Sequence, residues 1–355
     1  MRSSTDQADA PARPGRPRFT RQRSGPLRFL APLLAVLVLL VLITESLALG
    51  SRTLSPEEVW QGLLAYDNSV ASKVVWGLRI HRTILAIVVG ASLAVAGVVM
   101  QALTRNPLAE PGILGVNAGA SLAVVAAIGG LGLTSVNQYL PFAFAGAAAA
   151  AVLVHVMARR SADAGPARLV LAGVALGASL SSITGTMTMY NSKAFDSYRF
   201  WVVGSLENRK LEVLLWVAPF LAVGLVLALA SAHSLNALAL GDEQATALGV
   251  NLAVVRGGAF VAITLLCGAA TAAVGPISFI GLVIPHVVRL LVGADQRRLL
   301  AWSVAAGAGL LLAADVVGRL LVRRTELEAG IVTAFIGAPV LLVLALTNRT
   351  VRRSA

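Results

Sequence analysis

Long apolar runs joined by short polar segments make up most of this chain. A helix needs about 20 mostly apolar residues to cross a bilayer. Ten runs reach or approach that length, at residues 29–49, 79–104, 112–131, 139–158, 167–190, 211–231, 252–273, 276–293, 299–318 and 330–347. The pattern predicts an all-α polytopic membrane protein with about ten transmembrane helices, surrounded by membrane lipid.

The composition changes the picture only by excluding other classes of protein. Of the 355 residues, 57% are hydrophobic and 13% are charged, and the mean hydropathy is +0.80. Charged residues make up about a quarter of an ordinary soluble domain. A disordered chain needs low hydrophobicity. Both classes are therefore excluded.

The chain divides into a polar tail and a membrane domain. Residues 1–28 carry seven arginines and no apolar periodicity, which predicts a disordered basic cytoplasmic tail. Residues 29–350 form the transmembrane domain. The first run, 29–49, also fits a signal peptide with a long apolar region. A retained span is preferred, because the run is long enough to cross and an even number of spans returns the C-terminus to the cytoplasm.

The net charge of +12 does not indicate a nucleic-acid partner, because the cations are scattered between apolar runs and no nucleic-acid-binding motif accompanies them. With the N-terminus inside, cytoplasmic segments hold 18 of the 29 Lys and Arg residues. Basic residues concentrate on the cytoplasmic side of membrane proteins. The sequence therefore predicts a multi-pass protein of the cytoplasmic (inner) membrane with both termini in the cytoplasm.

Motifs for catalysis or ion coupling are missing from the sequence. There is no phosphate-binding loop, no HExxH motif, and one cysteine, Cys267, in an apolar run. Asp315 is one helical turn from Arg319, which favours a local pair over a charged relay. We expect no catalytic residue, cofactor or metal site in this chain, and ATP hydrolysis, if it drives transport, on another subunit.

Two stretches carry a resemblance to a known family. Residues 97–119 read GVVMQALTRNPLAEPGILGVNAG, and residues 274–286 read VGPISFIGLVIPH. They resemble the FecCD family, the permeases of ATP-binding-cassette (ABC) importers for iron-siderophores and vitamin B12. The resemblance covers about residues 29–350 and is strongest to the ferric-siderophore members.

The resemblance implies a permease that moves ferric-siderophore complexes into the cytoplasm. The implied partners are ABC ATPase subunits, an extracytoplasmic substrate-binding protein, and a second permease copy or a related permease. Vitamin B12 or haem is the alternative substrate. An ion-coupled carrier or a stand-alone channel is the alternative from a different class.

Two prolines, Pro107 and Pro111, mark a break in helix after the second predicted span. Proline disfavours helix in the residue before it. Non-helical backbone at a membrane face is tolerated beside protein or water. An ordinary turn explains the prolines equally well. The resemblance implies instead that Asn106 and Leu108 belong to a cytoplasmic gate.

Residues 232–251 form the longest predicted cytoplasmic connection. Gly241 interrupts a helical pattern, Asp242 and Glu243 suit the start of a helix, and Gly249 suits its end. The pattern predicts two short helices across Gly241, which fit a capped connector or a docking element. The resemblance implies an ATPase coupling segment that includes Gly241, Asp242, Glu243, Leu248 and Gly249.

Three arginines, Arg79, Arg82 and Arg319, lie at predicted exterior ends of spans, against the charge bias. Long cationic side chains at such positions commonly extend toward water while their stems stay in lipid. The resemblance implies a second interpretation, in which the three arginines pair with glutamates of the substrate-binding protein.

Overall fold

The computed structural model describes residues 27–50, 53–64, 69–159, 166–322 and 326–353. Fourteen α-helices, and no strand, occur in these residues. They are α1 Leu27–Ala48, α2 Pro56–Leu64, α3 Val70–Val74, α4 Ile80–Thr104, α5 Val116–Leu131, α6 Val136–Arg159, α7 Pro166–Tyr190, α8 Ser192–Val202, α9 Leu211–Leu238, α10 Asp242–Ala247, α11 Leu252–Val274, α12 Ile280–Val292, α13 Gln296–Leu321 and α14 Ala329–Arg353. A π-helical turn, Val75–Arg79, joins α3 to α4, and a 3-10 helix, Pro111–Leu114, precedes α5.

Each of the ten predicted runs corresponds to one of the longer helices, so the predicted all-α membrane fold is confirmed. Seven helical segments in the described ranges are long and apolar enough to cross a membrane, and α5, α12 and α14 contribute shorter apolar stretches. Apart from its last two residues, the predicted tail at residues 1–28 lies outside the part of the chain that the structure describes.

The two shortest membrane helices begin later than the sequence predicts. α5 and α12 contain 16 and 13 residues, or about 24 and 20 Å at the helical rise, against a hydrocarbon core of about 30 Å. Gly115, before α5, and Phe279, before α12, have positive φ angles of 77° and 72°. A left-handed residue cannot continue a right-handed helix. The runs 112–131 and 276–293 were therefore predicted to begin too early.

Helix α4 lies at the centre of the bundle, where α9, α11, α12 and α13 contact it. Glycines let these helices approach closely. A Cβ atom on Gly90 would lie 2.4 Å from the carbonyl oxygen of Gly307 in α13, and one on Gly97 would lie 2.0 Å from that of Gly281 in α12. Small residues replace the hydrophobic drive that lipid does not supply between helices. Glycines at these positions therefore determine how closely the helices pack.

Two helices, α1 and α7, are only 11% buried along their most apolar windows, yet they present different surfaces. The exposed face of α1 consists of large aliphatic side chains such as Leu33, Leu37 and Leu40. Such a surface matches lipid. The exposed face of α7 contains glycine, serine and threonine, so the same degree of exposure has a different meaning there.

Candidate transport and coupling sites

The first half of the predicted coupling segment, residues 232–251, has a different structure from the one predicted. α9 continues to Leu238, so the first of the two short helices predicted in residues 232–251 is instead the end of a long helix. Leu235 and Leu238 are fully buried, and this packing holds the last turns in place. The predicted break at Gly241 is present, with φ 116° and ψ 160°. That backbone conformation is open essentially to glycine alone.

Short helix α10 is tied to two other helices through its first residue. The Asp242 carboxylate accepts hydrogen bonds from Nη2 of Arg256 in α11, at 2.6 Å, and from Nη2 of Arg105 at the end of α4. Burial on its own raises the pKa of Asp242, but these two guanidinium groups outweigh it and hold the pKa below its ordinary value. The carboxylate is therefore ionised at neutral pH.

Most of the remaining side chains of α10 are exposed. Ala245 is buried, whereas Glu243 and Leu248 are exposed, Leu248 by 65%. Gly249 follows with a φ of 80° and borders an open groove of about 480 Å³ that continues to Ala253. Leu248 therefore lies exposed next to this groove.

Residues 105–110 contain Pro107 and precede Pro111, and we call them the gate segment. They are non-helical, as predicted. Arg105 ends α4 in a left-handed conformation with φ 49°. The Asn106 side chain is exposed and its Oδ1 accepts a hydrogen bond from the Leu108 amide at 3.0 Å. At the other end, Glu110 Oε1 accepts from the amide of Phe279 at 2.6 Å. The gate segment therefore connects α4 to the start of α12.

Two of the three predicted docking arginines, Arg82 and Arg319, bind the same carboxylate. Asp315 is 0% exposed and accepts hydrogen bonds from Arg82, at 2.7 Å to Nη2, and from Arg319. The predicted local pair of Asp315 and Arg319 is present. Arg82 also pairs with Glu326 in the connection to α14. A buried carboxylate needs such partners, because an unpaired charge in the interior is very costly.

Arg79 and Arg319 bind the end of α1 to this cluster. Arg79 Nη1 donates to the carbonyl oxygen of Leu47 at 2.6 Å, and Arg319 Nη1 donates to that of Ser46 at 2.8 Å. The two residues are 6% and 5% exposed. They neither extend freely into water nor present an open docking surface. Arg79 and Arg319 are therefore buried in this chain, where they bind the carbonyl groups at the end of α1 and, for Arg319, the Asp315 carboxylate. Their docking role stays a prediction.

Arg82 and Glu326 are the part of this cluster that reaches the surface, with side chains 13% and 22% exposed. The cluster lies where α4 begins, and the predicted gate and coupling residues lie where α4 ends. The 25 residues of α4 separate them by about 37 Å at the helical rise. The structure therefore places the candidate docking and coupling residues at opposite ends of the molecule.

A groove runs beside the exposed face of α7. Ser179, Ser182 and Thr186 are exposed, and each hydroxyl donates to the carbonyl four residues earlier, at 3.0 Å. A Cβ atom on Gly177 or Gly185 would meet nothing within 4 Å. The groove has a volume of about 330 Å³, and its polar lining comes from Asn117, Ser121, Ser181 and Tyr198. The exposed surface of α7 therefore combines small and polar residues with large apolar side chains, namely Leu171, Val174, Ile183 and Met189.

Sequence reasoning gave no role to four residues that organise these sites. Arg105, Glu110 and Glu326 had visible signals, since a charged residue at a membrane face requires a partner. Arg256 had a weaker signal, as a cation near the start of a span. The partner of Arg256 is 14 residues away, whereas those of Arg105, Glu110 and Glu326 are 137, 169 and 244 residues away. One sequence without an alignment does not reveal such pairs.

Known proteins match this chain over nearly its whole length. The ferric enterobactin transport system permease protein FepD of Escherichia coli (strain K12) is 44% identical over 312 residues, which cover 87% of this chain and 93% of FepD. The vitamin B12 import system permease protein BtuC of Yersinia enterocolitica is 41% identical over 335 residues, which cover 94% of this chain and 96% of BtuC.

A solved structure has the same fold. It is described as an inward-facing conformation of a metal-chelate type ABC transporter, and it aligns with a TM-score of 0.78 at 30% identity. The alignment covers 89% of this chain and 98% of that structure. The family model described as the FecCD transport family matches residues 37–347. This chain belongs to the FecCD transport family, whose members are permeases of ABC transporters.

Proposed function

We propose that this chain is the transmembrane permease of an ABC importer that carries ferric-siderophore complexes into the cytoplasm. The observation that carries the proposal is the match to a ferric enterobactin permease, at 44% identity over 87% of this chain. The substrate crosses the membrane chemically unchanged, and ATP hydrolysis takes place on separate subunits. The chain itself is a transporter subunit and not an enzyme.

The polar face of α7 supports an assembly of two permeases around a central pathway. Small residues let helices approach closely, and exposed hydroxyls suit a water-filled surface better than aliphatic lipid. Gly177 and Gly185 leave open space on this face. A second copy, or a related permease, placed against α7 and α8 would enclose the groove. The enclosed space would be lined by serine, threonine and asparagine, which solvate a hydrophilic chelate.

The exposed part of α10 supports a contact with the ATPase subunits. Glu243, Leu248 and Gly249 project beside the groove at the end of α4, and Gly241 and Asp242 fix the direction in which α10 leaves α9. In this proposal, ATP binding moves α10, and the gate segment with Asn106 and Leu108 opens or closes the inner end of the pathway. Alternating access requires two states that ATP and the binding protein favour differently.

We place the binding protein at the opposite end of the molecule. Arg82 and Glu326 are the accessible charges of the cluster around Asp315. Arg79 and Arg319 act from below them, because they hold α1 and α13 in position against α4. A carboxylate of the binding protein would then meet Arg82 first, whereas Arg79 and Arg319 would support the docking surface indirectly.

This arrangement also supports the orientation that we propose. The end of α1 bonds to Arg79, so α1 starts at the opposite end of the bundle, the end at which α10 lies. α14 starts close to the end of α13 and also runs toward the α10 end. The start of α1 and the end of α14 therefore lie on the side that we propose for the ATPase subunits, which is the cytoplasmic side of the inner membrane in this proposal. The excess of Lys and Arg in these segments agrees with it.

Uptake by the reconstituted complex tests the proposed function. The permease, co-purified with its own ATPase subunits and binding protein, should accumulate radioactive iron in vesicles when it is supplied as a siderophore complex with ATP. Vitamin B12 and haem, tested as competitors at the same concentration, should not reduce this uptake. Uptake of vitamin B12 or haem in preference to the siderophore would establish the alternative substrate.

The same preparation separates the classes of transporter. A variant of the ATPase subunit that cannot hydrolyse ATP should abolish accumulation at every ionic gradient applied. Accumulation driven by a proton or sodium gradient alone would show an ion-coupled carrier. Equilibration without ATP would show a channel.

A further inference from the structure

The gate segment is attached to the rest of the protein at both of its ends. At one end, the guanidinium of Arg105 donates from Nε to the carbonyl oxygen of Leu238 at 3.0 Å and from Nη2 to the carboxylate of Asp242. One side chain thus contacts the last residue of α9 and the first residue of α10. Because Asn106 follows Arg105 directly, these contacts lie one peptide bond from the candidate gate.

The other end of the gate segment is held in the interior. Glu110 Oε1 accepts the Phe279 amide at 2.6 Å. A Cβ atom on Gly281 would lie 2.8 Å from Pro111, which shows how closely this end packs on α12. Ala109, in between, is 1% exposed. A displacement that enters at Arg105 must therefore be taken up at residues 106–108, the only stretch between the two anchors that remains accessible.

We propose that Arg105 is the positioning residue through which movement of α10 reaches the gate segment. The proposal rests on the proposed coupling role of α10 and adds the physical link between the two. A guanidinium fits this task, because its planar fork presents several fixed donors to two acceptors at once. Movement of α10 carries Asp242 with it, whereas Leu238 is held by its packing at the end of α9. A displacement of Asp242 relative to Leu238 therefore acts directly on the Arg105 side chain.

A second arginine on the same carboxylate provides a matched comparison. Arg256 bonds the other oxygen of Asp242 at 2.6 Å. The two arginine side chains are almost equally exposed, Arg105 by 36% and Arg256 by 35%. They differ in what they connect, because Arg256 belongs to the first turns of α11 and does not adjoin the gate segment. Loss of either removes one charge-assisted hydrogen bond from α10, but only loss of Arg105 cuts the link to the gate.

The variants are chosen to keep the backbone intact. Arg105 has a left-handed conformation with φ 49°, which asparagine tolerates better than most residues. Arg105→Asn therefore removes the reach of the side chain without adding backbone strain. Arg105→Lys keeps the charge but loses the fork. Arg256→Gln is the control, since glutamine is a good helix former.

The test measures movement of the gate directly in the complete complex with its ATPase subunits. Spin labels are placed at Leu108→Cys and at Leu290→Cys in α12, whose side chain is 76% exposed. The distance between them is measured without nucleotide and with a non-hydrolysable ATP analogue. We expect the distance to change with the analogue in the otherwise unmodified permease and in Arg256→Gln, to stay constant in Arg105→Asn, and to change partly in Arg105→Lys.

Transport is measured on the same variants without labels. The amount of ferric siderophore accumulated per ATP hydrolysed should fall about tenfold in Arg105→Asn, a usual size for coupling between two sites. It should stay within about twofold of normal in Arg256→Gln, because a partly exposed ion pair has a small effect on its own. Co-purification of the ATPase subunits should be retained in both.

Three results would overturn the proposal. The first is a normal nucleotide-dependent distance change in Arg105→Asn. The second is an equal loss in Arg256→Gln, which would mean that any weakening of α10 uncouples the complex. The third is loss of ATPase co-purification in Arg105→Asn, which would make Arg105 part of the docking surface. If the unmodified complex shows neither ATP-driven uptake nor a distance change, the proposed function itself fails, and the link fails with it.

Discussion

Asp315 shows how a single carboxylate organises one end of the bundle. It is completely buried and receives hydrogen bonds from two arginines, Arg82 and Arg319, which come from different helices. Removing one member of a buried ion pair leaves an uncompensated charge and costs about 3–5 kcal/mol. Here Arg319 would lose its carboxylate partner, and Arg82 would keep Glu326. The Asp315 carboxylate therefore stabilises the contact of α4 with α13 at this end.

We expect Asp315→Asn to lower the free energy of unfolding by about 3–5 kcal/mol. Asp196, whose side chain is 63% exposed in its pair with Arg199, provides the control, and Asp196→Asn should change stability by no more than about 1 kcal/mol. Thermal and denaturant unfolding of both variants in the same detergent measures the difference. Similar shifts in the two variants would show that the buried cluster contributes little.

The sequence predicts part of this cluster and misses the rest for a physical reason. The pair of Asp315 and Arg319 is visible because residues four apart share a helix face. The contact of Arg82 with Asp315 joins positions 233 residues apart, and no local rule reports it. The arginines were predicted to lie at the exterior ends of spans from the charge bias, which indicates a side of the membrane but gives no information on depth.

The existence of the membrane helices was predicted correctly from the apolar runs. Every long apolar run is a helix, and the break at Gly241 was predicted by glycine alone. The errors concern where helices begin and end. α5 and α12 start late because Gly115 and Phe279 adopt positive φ angles, and α9 ends late because buried leucines continue its packing face beyond the apolar run. Both effects are tertiary, so periodicity does not show them.

Glycine contacts determine how closely these helices approach. In Gly97→Ala, the new Cβ atom would lie about 2.0 Å from the Gly281 carbonyl oxygen, far inside van der Waals contact, so α4 and α12 would have to separate. Overpacking of this kind costs about 1–3 kcal/mol. In Gly257→Ala, within α11, nothing lies within 4 Å, and alanine should stabilise the helix by up to about 1 kcal/mol.

Unfolding in the same detergent separates these two glycine variants, and uptake assays add a functional comparison. Gly97→Ala should transport poorly, because the start of α12 also holds the gate segment through Phe279 and Glu110. Gly257→Ala should transport normally. A Gly97→Ala protein as stable and as active as the unmodified protein would contradict the close packing of α4 and α12.

The assembly as a whole depends on what covers α7. Its exposed hydroxyls and small residues suit water or another helix, whereas α1, with equal exposure, suits lipid. The pathway was implied at first only by family resemblance. We propose that it runs along the groove beside Asn117 and Ser181. No pattern within a single span distinguishes a polar pathway from a polar interface, because both require small residues.

The reactivity of introduced cysteines distinguishes the exposed face of α7 from that of α1. The single native cysteine of the chain makes such labelling specific. The only cysteine, Cys267, is 2% exposed, and it lies in a bundle helix where burial and low polarity leave the thiol unreactive.

We expect Ser182→Cys on α7 to react with a charged, water-soluble thiol reagent in the assembled complex. Leu37→Cys on α1, whose native side chain is 56% exposed, should not react, because a thiol in lipid remains protonated and out of reach of a charged reagent. Bound ferric siderophore should slow the reaction at position 182, since the substrate would occupy the same space. Equal reaction at both positions, or no reaction at position 182 in any state of the transport cycle, would exclude α7 from the pathway.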